Sequence, residues 1–416
     1  MVLVVAGSAA PAFAGPALLY AANNCGQSRS DQLTETPWPL LRLQPGNAWQ
    51  LSRGGGVTVA VIDSGVSDQH PKLAGKVLAG KDYTQGGTDP TCDAVGHGTV
   101  VAAIIAGKDS PDATFSGIAP DAKILPLRVL AGKNTNDPRE PAIVAQAIRD
   151  AVAANVQVIN LSLQIRNPTQ ELADAVRSAI DHKIVVVAAA GNEGGGANDG
   201  QPIFPAAYPG VIAVAGVDRQ DQRVSTSSTG EYVDVAAPGM EIIGPAPRGG
   251  GYGLLEEGGT SFAAAYVSGV AALIRAYNPD LTATEVSDRI RSTADHPPQG
   301  HNEQVGYGVV NPYQAVAAVF RTVRTPGPAA TGQLAAPADR VDADAAVRRV
   351  GGAVAAGLLL VAVLILIAAP VLRRGRARQW RAGRSAKDAG KAGPGGGFTP
   401  VVGKTMSITN RSARQR

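Results

Sequence analysis

The chain is expected to be an α/β protein, because short apolar runs alternate with helical stretches from residue 55 onward. Residues 57–62 read Val-Thr-Val-Ala-Val-Ile, a near-continuous apolar run of the kind buried on both faces of a parallel sheet. Similar runs recur at 123–129, 156–161, 184–188, 211–214 and 233–235. Between them, 99–106, 141–155 and 169–181 carry apolar residues at helical spacing. In the second of these, Ile143, Ala147, Ile148, Ala151 and Val152 share one face. Pro141 suits its first turn, where an N–H is not needed. Such alternation implies a central, mainly parallel sheet with right-handed crossovers.

Hydrophobic residues make up 44% of the 416 and charged residues 17%, which excludes a disordered polyelectrolyte and a multi-span transporter. The formal net charge of +4 is unevenly spread. Residues 1–372 hold 26 Lys and Arg against 33 Asp and Glu, whereas 373–416 hold 12 against one. The basic character therefore belongs to a tail, and no nucleic-acid partner is expected.

Residues 350–372 are 23 consecutive positions without a charge, about 34 Å of helix at 1.5 Å per residue, enough to cross a bilayer core. Arg373, Arg374, Arg376 and Arg378 follow at once, then Arg381, Arg384, Lys387 and Lys391. The positive-inside bias puts that basic tail, 373–416, in the cytoplasm against membrane lipid, and everything before the span outside. An Ala- and Pro-rich segment, 323–349, reads as a flexible linker to the span.

Residues 1–14 end in Ala12-Phe13-Ala14 after an apolar stretch, as a signal peptide does, although the positive n-region is missing. The chain has two cysteines, Cys25 and Cys92. In an exported domain a single disulfide is the economical reading, tying the N-terminal arm to the body. Free thiols or part of a metal site are the alternatives, and two cysteines alone offer too few ligands for structural zinc.

Three segments carry the chemistry. Asp63-Ser64-Gly65 follows the first strand, Gly96-His97-Gly98-Thr99 opens a helix, and Gly259-Thr260-Ser261 opens another. Each puts a reactive side chain where open α/β sheets assemble sites. Asp, His, Ser is one of the chain orders in which an acyl-transfer triad occurs. Such a triad needs a serine oxygen activated by an imidazole, whose other nitrogen donates to a carboxylate. A fourth segment ends a strand and supplies Asn192, whose amide can donate to an oxyanion beside the Ser261 N–H. His70, His182, His296 and His301 are assigned no role. Asp68, Asp82, Asp89 and Asp93 lack the spacing of a calcium loop, so no metal is expected.

These motifs resemble those of subtilisin-like serine proteases, and more narrowly of mycosins, the membrane-anchored proteases of type VII secretion. The resemblance covers residues 31–319. It implies a three-layer fold, with Asp63 as orienter, His97 as general base, Ser261 as nucleophile and Asn192 as oxyanion donor. Asn160-Leu161-Ser162-Leu163 resembles the family's substrate strand, so Ser162 and Leu163 line a specificity pocket across from Ala190 and Gly191. Gln164 stands where subtilisins usually carry Gly, which narrows that pocket. Mycosin character rests on Thr36-Pro37-Trp38-Pro39, on Cys92 just ahead of His97, and on Phe262 in place of Met. Val100 replaces a frequent second His, and Ala265 a usual Pro.

The resulting organisation is a signal peptide at 1–14, an extension packed on the domain at 15–53, a catalytic domain at 54–322, then linker, span and tail. The resemblance implies a cofactor-free endopeptidase acting on few secreted proteins and associated with a type VII secretion membrane complex. The rival reading is a mainly structural protein that stabilises that complex.

Overall fold

The computed structural model describes residues 25–110, 114–132, 139–319 and 370. The chain divides into two units, Met1–Thr322 and Val323–Arg416. The expected signal peptide, linker and tail lie outside the described residues, as does the expected span apart from Pro370. Among the described residues no helix is long and apolar enough to cross a membrane.

In chain order the first unit begins with β1 (Ser28–Arg29), α1 (Trp38–Leu43), β2 (Thr58–Asp63), β3 (Lys81–Asp82), α2 (His97–Ala106) and β4 (Lys123–Arg128). It continues through α3 (Glu140–Ala153), β5 (Val158–Leu161), α4 (Gln170–Asp181), β6 (Val185–Ala189), β7 (Ile212–Val217) and β8 (Val235–Pro238). It closes with β9 (Ile242–Pro245), β10 (Arg248–Gly249), β11 (Tyr252–Leu255), α5 (Thr260–Tyr277), α6 (Ala283–Ser292) and α7 (Pro312–Ala317).

Seven strands form one sheet in the order β3-β4-β2-β5-β6-β7-β8, every neighbouring pair parallel. The apolar runs are continuous because both faces are covered. Val59, Val61, Val158, Val185, Val187 and Val214 pack with α2 and α5 on one side. Ala60, Ile62, Ile159, Leu161, Val186 and Ala188 pack with α3 and α4 on the other. The two-residue period of a strand sends alternate side chains into these two cores, giving three layers. α5 is buried from Thr260 to Arg275, as a helix apolar around its whole circumference must be.

One predicted face is displaced. In α3 the buried residues are Pro141, Val144, Ala145, Ala147, Ile148 and Ala151, while Ile143 and Val152 are partly buried at its edge. Helix α4 packs alongside and draws Val144 and Ala145 inward.

The arm before β2 lies on the body. Cys25 and Cys92 are disulfide-bonded, with Cα atoms 4.5 Å apart. β1 pairs with β10, Trp38 Nε1 donates to the Met240 carbonyl (3.0 Å) and Trp49 Nε1 to that of Ile118 (2.9 Å). Arg42 bridges Asp221 and Asp295, each at 2.9 Å.

Candidate active site

The sheet places the candidate segments at the carboxyl ends of its central strands. β2, β5 and β6 are adjacent and parallel, so their carboxyl ends open into a shared crevice, where side chains gather from several strands. Asp63 ends β2, residues 162–164 follow β5, and residues 190–192 follow β6.

Asp63 is fully buried, and its Oδ1 accepts from the Ser64 N–H (2.7 Å) and lies 2.8 Å from His97 Nδ1. The imidazole is about a quarter exposed, so it meets both the buried carboxylate and the crevice. Two glycines permit this approach. Gly65 has φ +109, and a Cβ there would sit 2.5 Å from the Cys92 carbonyl oxygen. A Cβ on Gly98 would lie 2.1 Å from the Gly65 carbonyl oxygen, so any larger residue would push the start of α2 off β2 and part His97 from Asp63.

The other polar residues of the motifs fasten these turns to one another. Asp93, fully buried, accepts from Ser64 Oγ (2.8 Å) and Gly96 N–H (2.8 Å) on one oxygen. Its second oxygen accepts from Thr99 N–H (2.8 Å) and Thr99 Oγ1 (2.6 Å). Ser64 Oγ in turn accepts from the Gly98 N–H (3.1 Å). Burial, aided by repulsion from Asp63, pushes the Asp93 carboxyl above the usual range, against the pull of the Thr99 and Ser64 donors. In the sequence Asp93 is one of four loop acids. The signal available was its place four residues before His97, next to a disulfide cysteine. Asp93→Asn turns one acceptor oxygen into a donor facing donors. Hydrolysis kinetics should show kcat down roughly 10- to 100-fold with KM little changed, the scale of a small misplacement of reacting groups.

Ser261 is the second residue of α5 and nearly buried, and its hydroxyl donates to the Ser162 carbonyl (3.2 Å). Ser162 Oγ donates back to the Ser261 carbonyl (2.8 Å) and accepts from Asn160 Nδ2 (2.8 Å), whose Oδ1 accepts from Ser268 Oγ (2.9 Å). This buried chain ties the end of β5 to α5. Phe262, next to Ser261, sets its ring 5.1 Å from the His97 imidazole, so the helix start that carries the serine abuts the histidine.

Asn192 is oriented by its neighbour. Its Oδ1 accepts from both the N–H (3.0 Å) and Oγ1 (3.1 Å) of Thr260, so the amide oxygen must face α5. The two Nδ2 hydrogens are left to the other side, and the Ser261 N–H, in the first turn of α5, has no acceptor within its own helix. Opposite, Ala190 is held by Tyr232, whose hydroxyl donates to its carbonyl (2.8 Å). Burial pushes that phenol up to about 12, so it remains a donor at neutral pH. Leu163 is buried in the core on the α3 and α4 side, and Gln164 is half-buried.

The chain belongs to the subtilase family, whose model matches residues 54–308. Within it the chain is mycosin-like. It is 39% identical to Mycosin-4 of Mycobacterium tuberculosis over 307 residues, 65% of this chain and 66% of that protein. It is 37% identical to Mycosin-1 of the same organism over 342 residues, 71% of this chain and 75% of that protein. The chain thus spans about two thirds to three quarters of the length of these relatives. Among solved structures, a chain of the periplasmic assembly from the ESX-5 inner membrane complex superposes with a TM-score of 0.60 at 32% identity, covering 76% of this chain and 94% of that one.

Proposed function

We propose that the chain is a serine endopeptidase in which His97, oriented by Asp63, takes the proton of Ser261 as its Oγ attacks a scissile carbonyl. The tetrahedral oxyanion is held by Asn192 Nδ2 and the Ser261 N–H at the positive end of α5. Collapse passes the proton from His97 to the leaving amine, and water, activated the same way, releases the acyl group. No cofactor takes part. The peptide lies extended against residues 162–164, with Ala190 and Gly191 opposite. The observation that carries this reading is the 2.8 Å pairing of His97 Nδ1 with a fully buried carboxylate, beside a helix whose first residue, Thr260, orients Asn192 and whose second is Ser261.

The domain at 54–322, with the 15–53 extension on it, works outside the cell in this proposal. Residues 1–14 export it, 323–349 link it to a span at 350–372, and 373–416 lie in the cytoplasm. Its mycosin relatives and the ESX-5 assembly support an association with a type VII secretion membrane complex and a restricted set of secreted substrates.

Kinetics of Asn192→Ala test the site. Loss of the side-chain donor should lower kcat about 100- to 1,000-fold, or about 2.7–4 kcal/mol, while KM stays within about threefold. A fall confined to KM would contradict the oxyanion role.

A second reading, that the chain chiefly stabilises the complex, is favoured by its likeness to a chain within an assembled secretion complex. Secretion in cells lacking the chain, set against cells carrying Ser261→Ala, separates the two. Secretion lost in both supports an obligatory proteolytic step, and secretion lost only on deletion supports the scaffold.

A further inference from the structure

We infer that Gln164 is a specificity-determining residue that bars large side chains from the crevice and selects substrates with a small, uncharged residue on the acyl side of the scissile bond. This rests on the serine-peptidase reading above, which fixes where the acyl residue must lie: its carbonyl carbon meets Ser261 Oγ while its oxygen faces Asn192. Its side chain then enters the gap between the segments that continue β5 and β6. Those strands are in register, Leu161 opposite Ala188, so residues 162–164 and 190–193 face each other as the two walls.

Gln164 crosses that gap. Leu163 and Ile165 are buried in the core beneath, so by strand alternation Gln164 turns the other way. Its Oε1 accepts from the Asn192 N–H (3.0 Å) and its Nε2 donates to Glu193 Oε1 (2.8 Å), so a neutral side chain on one wall is bonded at both ends of its amide to the other. The far anchor is itself fixed. Glu193 takes an ion pair from Arg166 on the same oxygen, and its N–H donates to Ser228 Oγ (3.0 Å). The near anchor is held by backbone bonds between Ile165 and Phe204, at 2.7 and 3.1 Å.

A Leu or Phe side chain entering the gap must swing Gln164 out, taking the acceptor from the Asn192 N–H and leaving Glu193 Oε1 with Arg166. A Gly, Ala or Ser side chain fits without breaking either bond. A discrimination of roughly 10- to 100-fold is expected from such a loss.

The test uses the purified chain and a series of extended peptides differing only at the acyl-side residue, Ala, Leu or Phe, with active sites counted by fluorophosphonate labelling. The wild type should cleave the Ala peptide with kcat/KM at least tenfold above Leu and Phe. Gln164→Gly should raise the Phe-to-Ala and Leu-to-Ala ratios at least tenfold, and Gln164→Ala, which keeps a stiffer backbone, should raise them too. Counting sites removes any effect of misfolded protein, and ratios remove any general loss of rate. Equal wild-type cleavage of Ala and Phe peptides, or ratios unmoved in both variants, overturns the role of Gln164. Failure of the wild type to label or to cleave any peptide instead overturns the peptidase reading on which it rests.

Discussion

Ser261→Ala is expected to lower kcat for peptide hydrolysis by about 10^6-fold, the scale on which removal of a serine nucleophile disables a triad acting as a unit. Ser261 supplies the only atom proposed to bond to substrate, and the other hydroxyl in the first turn of α5 belongs to Thr260. Thr260, its neighbour, already spends its hydroxyl on Asn192 Oδ1 and on the Gly191 N–H (3.2 Å). The fold should survive, because the hydroxyl donates to the Ser162 carbonyl at 3.2 Å and one such bond contributes about 1 kcal/mol. A shift in thermal midpoint of no more than about 3 °C is expected for a domain of this size. The oxyanion donors remain, so residual hydrolysis should still exceed that in water by about 10^3- to 10^4-fold. A variant within tenfold of wild type would remove Ser261 from the mechanism.

Asp63→Asn should cost about 10^4-fold in kcat, with KM little altered. The carboxylate is fully buried, and its Oδ1 serves both the Ser64 N–H and His97 Nδ1. An asparagine that keeps its oxygen there must bury an NH2 at the Oδ2 position, where the carboxylate oxygen has no hydrogen-bond partner among the described residues. Turned the other way, the NH2 faces the Ser64 N–H and accepts nothing from Nδ1, which forces the imidazole into the wrong tautomer. In either orientation the negative charge that steadies the imidazolium is lost. Steady-state kinetics beside a circular dichroism spectrum check this, and a loss below tenfold in a folded variant would contradict the orienting role.

Much of the scaffold was legible because its signals are local. The six predicted strands each overlap an observed one, since a strand buried on both faces must be apolar at every position. The segments that carry Asp63, His97 and Ser261 could be picked out in chain order, and the lone cysteine pair could form only one disulfide. What escaped notice was short or depended on partners far away in sequence. β3 and β10 are two-residue strands defined by their neighbours, and β9 and β11 run through glycines. α6 is mostly polar, and its start is marked by a capping box between Thr282 and Glu285 that apolar periodicity does not register. Asp93 was missed for a different reason. Its four donors come from Ser64, Gly96 and Thr99, and only folding shows that they converge on one buried carboxylate. Gln164 was legible as a departure from the family's glycine, but not the direction of its amide, which depends on Asn192 and Glu193 across the crevice.

The central claim is that Ser261 is a nucleophile activated by His97 and Asp63. Its most direct measurement is intact-mass and peptide mapping of the purified chain after treatment with a fluorophosphonate. The predicted result is one adduct per chain, mapped to Ser261, abolished by Ser261→Ala and slowed at least 1,000-fold by His97→Ala. No adduct, or an adduct on another residue that Ser261→Ala leaves intact, would contradict it.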